Sequence, residues 1–232
     1  MRLHFMSRIL SAAVVGVLGL TSQVQAAAVD FESIPANFYA DGETFSENGY
    51  TLKVQGDFGV VDTASAFSIA QAPTGNPTQF YAGLNDSRLM LSRTDGQLFR
   101  LVGFDAGFIA PLPQNPGVRA GRIEVNAIDA LGNPVFNSWE FAPSANDGSF
   151  AFLTYNGATD FSAFYGIKSA TFDACIYVDP AVDNTCVNPS QNLGQFGLDN
   201  VNAGVVPEPS TYALMALGFT ALAARARRAT KR

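Results

Sequence analysis

An all-β fold, a jelly-roll-like antiparallel β-sandwich, is predicted for residues 27–204 by three observations. Apolar residues alternate at strand period, turn residues recur between the alternations, and nothing in that interval carries a helical pattern of convincing length. The two ends are of another kind. Residues 1–26 place Arg2 and Arg8 ahead of the apolar run Ile9–Leu20, followed by Val24-Gln25-Ala26. Basic residues, a short apolar stretch and a small-x-small site make a secretory signal peptide, cut after Ala26 or, as a near alternative, after Ala28.

The body, about 178 residues, is of single-domain size, with no internal repeat and no long Ser/Pro-rich linker. Tyr50, Leu52 and Val54 alternate, as do Ile123, Val125 and Ala127, and later Phe150 and Phe152. Turn signals stand at Glu47-Asn48-Gly49, Asp95-Gly96, Leu131-Gly132-Asn133-Pro134 and Asn146-Asp147-Gly148. The best hairpin joins Ile123–Ile128 to Pro134–Phe141 around Gly132-Asn133. Most of the 19 Phe are expected to fill the space between two sheets, about 10 Å across. Trp139, Tyr39, Tyr81, Tyr155 and Tyr165 are expected mainly as core, with a sugar-stacking platform as the rival reading.

Cys175 and Cys186 flank a ten-residue polar loop in a chain bound for an oxidising compartment, so a disulfide is expected. Closing such a loop stabilises by roughly 3 kcal/mol.

The net charge of −6 understates how acidic the body is. Seven of the 14 basic residues lie in the two ends, leaving seven against 19 acids between residues 27 and 204, a net −12. Nucleic acid is excluded as a partner, because phosphate binding needs clustered Lys and Arg. His4, inside the signal peptide, is the only histidine. Its removal excludes Ser-His-Asp and Cys-His catalysis and His-ligated zinc. Carboxylate chemistry is the surviving enzymatic option, with Glu124 and Glu140 as its candidates, although Glu124 faces outward from an apolar alternation.

At the other end, Val205-Val206-Pro207-Glu208-Pro209-Ser210 leads into the apolar run 211–224 and a basic tail, 225–232, holding Arg225, Arg227 and Arg228. As a helix, 14 residues cover about 21 Å, short of a roughly 30 Å hydrocarbon core. The stems of the arginines, with Val205 and Val206 on the other side, extend it to a transmembrane segment. Basic flanks stay cytoplasmic, so the body faces outward. Pro207 and Pro209 resist helix and keep the backbone before the membrane extended.

This tail, residues 205–232, resembles a PEP-CTERM sorting signal. The resemblance implies a substrate of an exosortase, an integral-membrane cysteine protease of Gram-negative bacteria that make exopolysaccharide. It implies export through the inner membrane, C-terminal anchoring there for a time, and a cell-surface or extracellular destination after processing. The body is similar to a subgroup of such proteins with a Gln-Phe-x-x-Asp motif, matched by Gln195, Phe196 and Asp199. The first segment, Val29-Asp30-Phe31-Glu32, and the last, Gln195–Val201, resemble the outer strands of carbohydrate-binding-like jelly rolls. First and last strands are neighbours in that fold, which would bring Glu32 near Asp199. Hard oxygen ligands there suit a structural calcium ion, against the alternative of two solvated carboxylates. No other cofactor is expected.

The leading expectation is a secreted, non-enzymatic protein of the envelope or extracellular matrix, associated with exopolysaccharide or biofilm. A carbohydrate-binding module and a carboxylate-dependent glycan hydrolase or lyase are its rivals.

Overall fold

The structure, a computed structural model, describes residues 27–178, 185–187, 193–206, 215–223 and 225. The signal peptide and Pro207, Glu208, Pro209, Arg227 and Arg228 lie outside the described residues.

Thirteen strands form the body: β1 Ala27–Val29, β2 Asn37–Tyr39, β3 Thr44–Glu47, β4 Tyr50–Gln55, β5 Phe58–Thr63, β6 Gln79–Leu84 and β7 Arg88–Arg93. There follow β8 Phe99–Phe108, β9 Gly121–Asp129, β10 Pro134–Glu140, β11 Leu153–Tyr155, β12 Tyr165–Ile176 and β13 Phe196–Val205. Every strand pair is antiparallel. Hydrogen bonding runs β2-β5-β6-β13-β8-β12-β7-β4-β3, with β1 on β13, β11 on β8, and β9 and β10 beyond β12. β8 meets β12 only through Arg100–Tyr165 and Phe99–Ile167. The sheet folds over at that corner into two layers, a first around β13 and β8 and a second around β12.

The expected alternations supply the inner faces. Tyr50, Leu52 and Val54 are buried on β4, and Ile123, Val125 and Ala127 on β9. Rings meet across the gap: Phe104 of β8 lies 5.3 Å from Phe172 of β12 and 5.2 Å from Trp139 of β10, and Tyr50 lies 5.6 Å from Phe99. The β9–β10 hairpin forms with Ile128 opposite Pro134, as its turn residues predict. Asn48 and Gly49, φ 49° and 84°, make a two-residue turn between β3 and β4, the left-handed pair that such hairpins require.

One expectation changes. The Phe150–Phe152 alternation is not a strand; residue 151 makes an isolated bridge to Thr74. Phe150 turns inward onto Phe108, at 4.9 Å, whereas Phe152 turns outward onto Phe80, at 5.6 Å. Most buried Phe lie between the layers, as expected, and a few do not. Residues 64–78, linking β5 to β6, lie against the outer face of the first layer, where Phe67, Phe80, Val60, Ala82, Leu84 and Ile109 form a second apolar cluster. The first layer is therefore packed on both faces, while the outer face of the second carries mainly polar residues.

β13 is a central strand and runs to Val205, which pairs with Phe99. The domain thus reaches one residue into the segment assigned to the tail. Residues 215–223 are helical, and no helix among the described residues is long and apolar enough to cross a membrane.

Candidate functional site

The seam between the domain's two ends is built as expected: β1 pairs with β13, Val29 opposite Val201. Glu32 and Asp199 converge on the lead-in to β6. The Gln79 amide donates to Glu32 Oε1 at 2.7 Å. Asp199, 0 % exposed, accepts from Asn76 Nδ2 at 2.8 Å and from the Asn200 amide at 2.7 Å, with Thr78 Oγ1 at 3.2 Å and Asn200 Nδ2 at 3.3 Å. Burial pushes the Asp199 carboxyl up to about 7, its donors pulling the other way. Asn76 and Asn200 turn hydrogens towards the Asp199 carboxyl, whereas a cation needs lone pairs.

A third acid in the seam had no signal in the sequence. Glu47, buried, accepts the amides of Asp30 at 3.0 Å, Phe31 at 2.8 Å and Ser33 at 3.0 Å, and the Ser33 hydroxyl. Phe31 has φ 60°, a left-handed conformation unusual for a bulky residue, and its ring is wholly buried. Glu47 and that ring hold the first turn of the domain in place.

On the outer face of the second layer, Cys175 and Cys186 are joined, Cα–Cα 5.2 Å. The expected disulfide is present. Its sulfurs and the Glu124 carboxylate lie within 4.8 Å of one another, but sulfurs bonded to each other are not thiolate ligands. Arg122 Nη2 pairs with Glu124 at 2.7 Å, and Arg119 Nη2 with Glu140 at 3.2 Å. Glu124 lies opposite Ser138 and Glu140 opposite Arg122, so the two acids are displaced along the hairpin as well as ion-paired. Directly across from Glu124 on β12 stands Asp173. Burial, then the Glu124 charge, push the Asp173 carboxyl up to about 7, and its Oδ1 is buried with no hydrogen-bond partner.

Three hollows bear on these residues. One of about 140 Å³ is lined by Asp86, Ser87, Arg88, Asp173 and Ala174. A second, about 210 Å³, lies where the layers join, lined by Arg100, Val102, Phe161, Ser162 and Tyr165 among others. The third, about 340 Å³, sits at the mouth of the sandwich between the ends of β8 and β12 and the start of β13. The five aromatics considered for a platform do not assemble one. Tyr81 is fully buried, Tyr39, Trp139 and Tyr155 pack against the core, and only Tyr165, 57 % exposed, faces solvent broadly. Of the Gln195, Phe196 and Asp199 segment, Phe196 is core, Asp199 belongs to the seam, and Gln195 lines the mouth.

Val206 is the one residue between the end of β13 and Pro207. From there the sequence matches the PEP-CTERM protein-sorting motif, over residues 205–228. The chain carries a PEP-CTERM sorting signal. That motif implies export, C-terminal anchoring and processing by an exosortase. Within it, Arg225 is helical and exposed.

No curated protein matches the chain. Among solved structures it is similar to a DUF4465 family protein from Bacteroides caccae, at 12 % identity over 79 % of this chain and 100 % of that one, TM-score 0.47. It is also similar to the CBM22-2 xylan-binding domain of Paenibacillus barcinonensis Xyn10C, at 12 % identity over 78 % and 99 % of the two chains, TM-score 0.34. An exo-beta-agarase is similar at 11 % identity and TM-score 0.33, over 79 % of this chain but 26 % of that one.

Proposed function

We propose that the protein is a non-enzymatic binding or structural component of the envelope or exopolysaccharide matrix, held at the inner membrane by its tail and released by an exosortase. The observation that carries this reading is the sorting motif at residues 205–228, abutting a folded, disulfide-bonded body. A body lacking histidine after signal cleavage, whose Glu124 and Glu140 are each paired with an arginine, supports a role without catalysis. Mass spectrometry of the mature protein from its own cell reads both termini and any attached group at once. The expected product starts at residue 27 or 29 and ends before the basic tail. A chain still ending at Arg232 in every compartment argues against processing.

A carbohydrate-binding role is the second reading, supported by Tyr165. Its exposed ring stands opposite Arg100, whose Nε is buried and unpartnered, beside a hollow of about 210 Å³. A sugar stacked on the ring would lie beside that hollow. In affinity electrophoresis against the producing cell's exopolysaccharide, wild type should be retarded and Tyr165→Ala should not. Equal mobility with and without the polysaccharide removes this reading and leaves the sorting one untouched.

A further inference from the structure

Register fixes the end of the sandwich from which the tail departs. Val205, the last residue of β13, pairs with Phe99 at the start of β8, and Phe99 also meets Ile167 near the start of β12. Ile167 lies opposite Asp129, the last residue of β9, and Ser169 opposite Ser92 near the end of β7. Five strand ends therefore share one end of the domain, with the turn 130–133 beyond them. Exposed apolar side chains gather there: Leu131 at 86 %, Tyr165 at 57 %, and Ile128 and Val205 at 39 % each. Nothing in the fold asks for leucine at position 131. Asp129 holds that turn, its Oδ1 accepting the amides of Leu131 and Asn133, both at 2.8 Å, while Asn133 Nδ2 donates to Oδ2 at 2.9 Å. The backbone is set, and the leucine side chain is left to solvent.

What covers that end follows from the tether. Residues 206–210 separate β13 from the apolar run 211–224, and fully stretched they span at most about 18 Å. β13 alone, ten residues at about 3.3 Å each, is about 33 Å long. On so short a tether the domain cannot bring its far end to the lipid. Charge selects the same end. The five strand ends and their turns hold Arg93, Arg100 and Lys168 against Asp95 and Asp129, with Asp95 paired to Arg93, in a body of net charge −12. The acidity lies elsewhere, on surfaces that anionic headgroups repel. We propose that, while the tail is anchored, this end of the body docks on the outer surface of the same membrane. Leu131 enters the headgroup layer, Tyr165 lies at its boundary, and exposed Lys168 reaches the lipid phosphates. The inference rests on the anchoring that the sorting motif implies. A few apolar side chains hold a tethered body, whose effective concentration at the surface is high, but not a free one. Cutting the tail therefore releases the protein and uncovers Tyr165.

The test uses the exported protein, its tail intact, in nanodiscs of phosphatidylethanolamine and phosphatidylglycerol carrying a lipid spin-labelled near the top of its acyl chain. Leucine and isoleucine methyl groups are isotope-labelled, and each resonance is assigned by its loss on substitution. Leu217, in the helix 215–223, reports anchoring. Leu112, 70 % exposed and beyond the far end of β8, is the control within the body. The spin label should broaden Leu217 and Leu131 and leave Leu112 sharp. Leu131→Gln, at an exposed tip, should lower the ratio of docked to free body about tenfold, read as lost broadening at Ile128 while Leu217 stays broad. A broad Leu217 with Leu131 no broader than Leu112 overturns the docking and leaves the anchoring standing. A sharp Leu217 overturns the anchoring, and the docking with it. Broadening at Ile128 that survives in Leu131→Gln overturns the part given to Leu131.

Discussion

Two regions of the molecule enclose an aspartate opposite another acid, and they differ in the donors they give it. In the seam, Asp199 stands opposite Asp105 but is enclosed by Asn76 and Asn200, which turn donors towards it. On the outer face of the second layer, Asp173 faces another acid, Glu124, and leaves one oxygen unpartnered. Burial pushes both carboxyls up to about 7. The shared shift therefore does not reveal the role. Donors do: Asp199 meets several, whereas Asp173 meets Asn126 alone and keeps Oδ1 bare, so ionising Asp173 costs the folded state more.

The largest effect should come from the seam. Glu47→Ala strands three amides and removes the acceptor that holds Phe31 left-handed. At about 1–3 kcal/mol for a stranded buried group, and 2–4 °C per kcal/mol for a domain of this size, Tm should fall by about 10 °C. A fall of only a degree or two would mean that the first turn is held by the Phe31 ring alone.

The comparison itself breaks or stands on a pair of isosteric changes. Asp199→Asn sets an NH2 among groups that already donate, and should destabilise by about 2 kcal/mol. Asp173→Asn removes a buried charge facing Glu124, and should leave Tm unchanged or raise it at pH 8. If both variants lose stability alike, the two aspartates are not different in kind.

A smaller effect is the dependence on pH. Each folded carboxyl keeps its proton to about pH 7, whereas an unfolded aspartate loses it near pH 4. Between those limits the folded state holds more protons, so stability is full at the acidic end and is lost as pH rises through 7. Calorimetry from pH 5 to pH 8 should show a falling Tm, with a shallower slope in Asp173→Asn. A slope unchanged in that variant would place the titration elsewhere.

The smallest effect expected is that of chelation. Because the neighbours of Asp199 present hydrogens, EDTA should leave Tm within about 1 °C of its value in calcium, on the scale where 1 kcal/mol moves it 2–4 °C. A larger fall that Asp199→Asn abolishes would restore a metal at Glu32 and Asp199.

Local pattern made much of this molecule legible. The alternation of Tyr50, Leu52 and Val54, the Asn48-Gly49 turn and the Gly132-Asn133 hairpin each depend on residues close in sequence, and each is found. So is the disulfide, which the spacing and the compartment both favour. Glu47 was not legible, because the amides it accepts lie 14 to 17 residues away across a fold-back. The opposition of Asp173 to Glu124 was not, because it needs the register of two strands far apart in the chain. Phe150 and Phe152 looked like one strand because a period of two cannot tell which of two apolar clusters each ring will enter.

The sequence by itself determined where this protein is sent, since a sorting tail is read along the chain and needs no fold. It also determined that the body is made of antiparallel strands, because side-chain period and turn chemistry act over a few residues. Only the tertiary structure decided which acids hold backbone and which keep an oxygen without a partner. Those outcomes follow from burial and from contacts between distant strands, which exist only once the two layers have closed on each other.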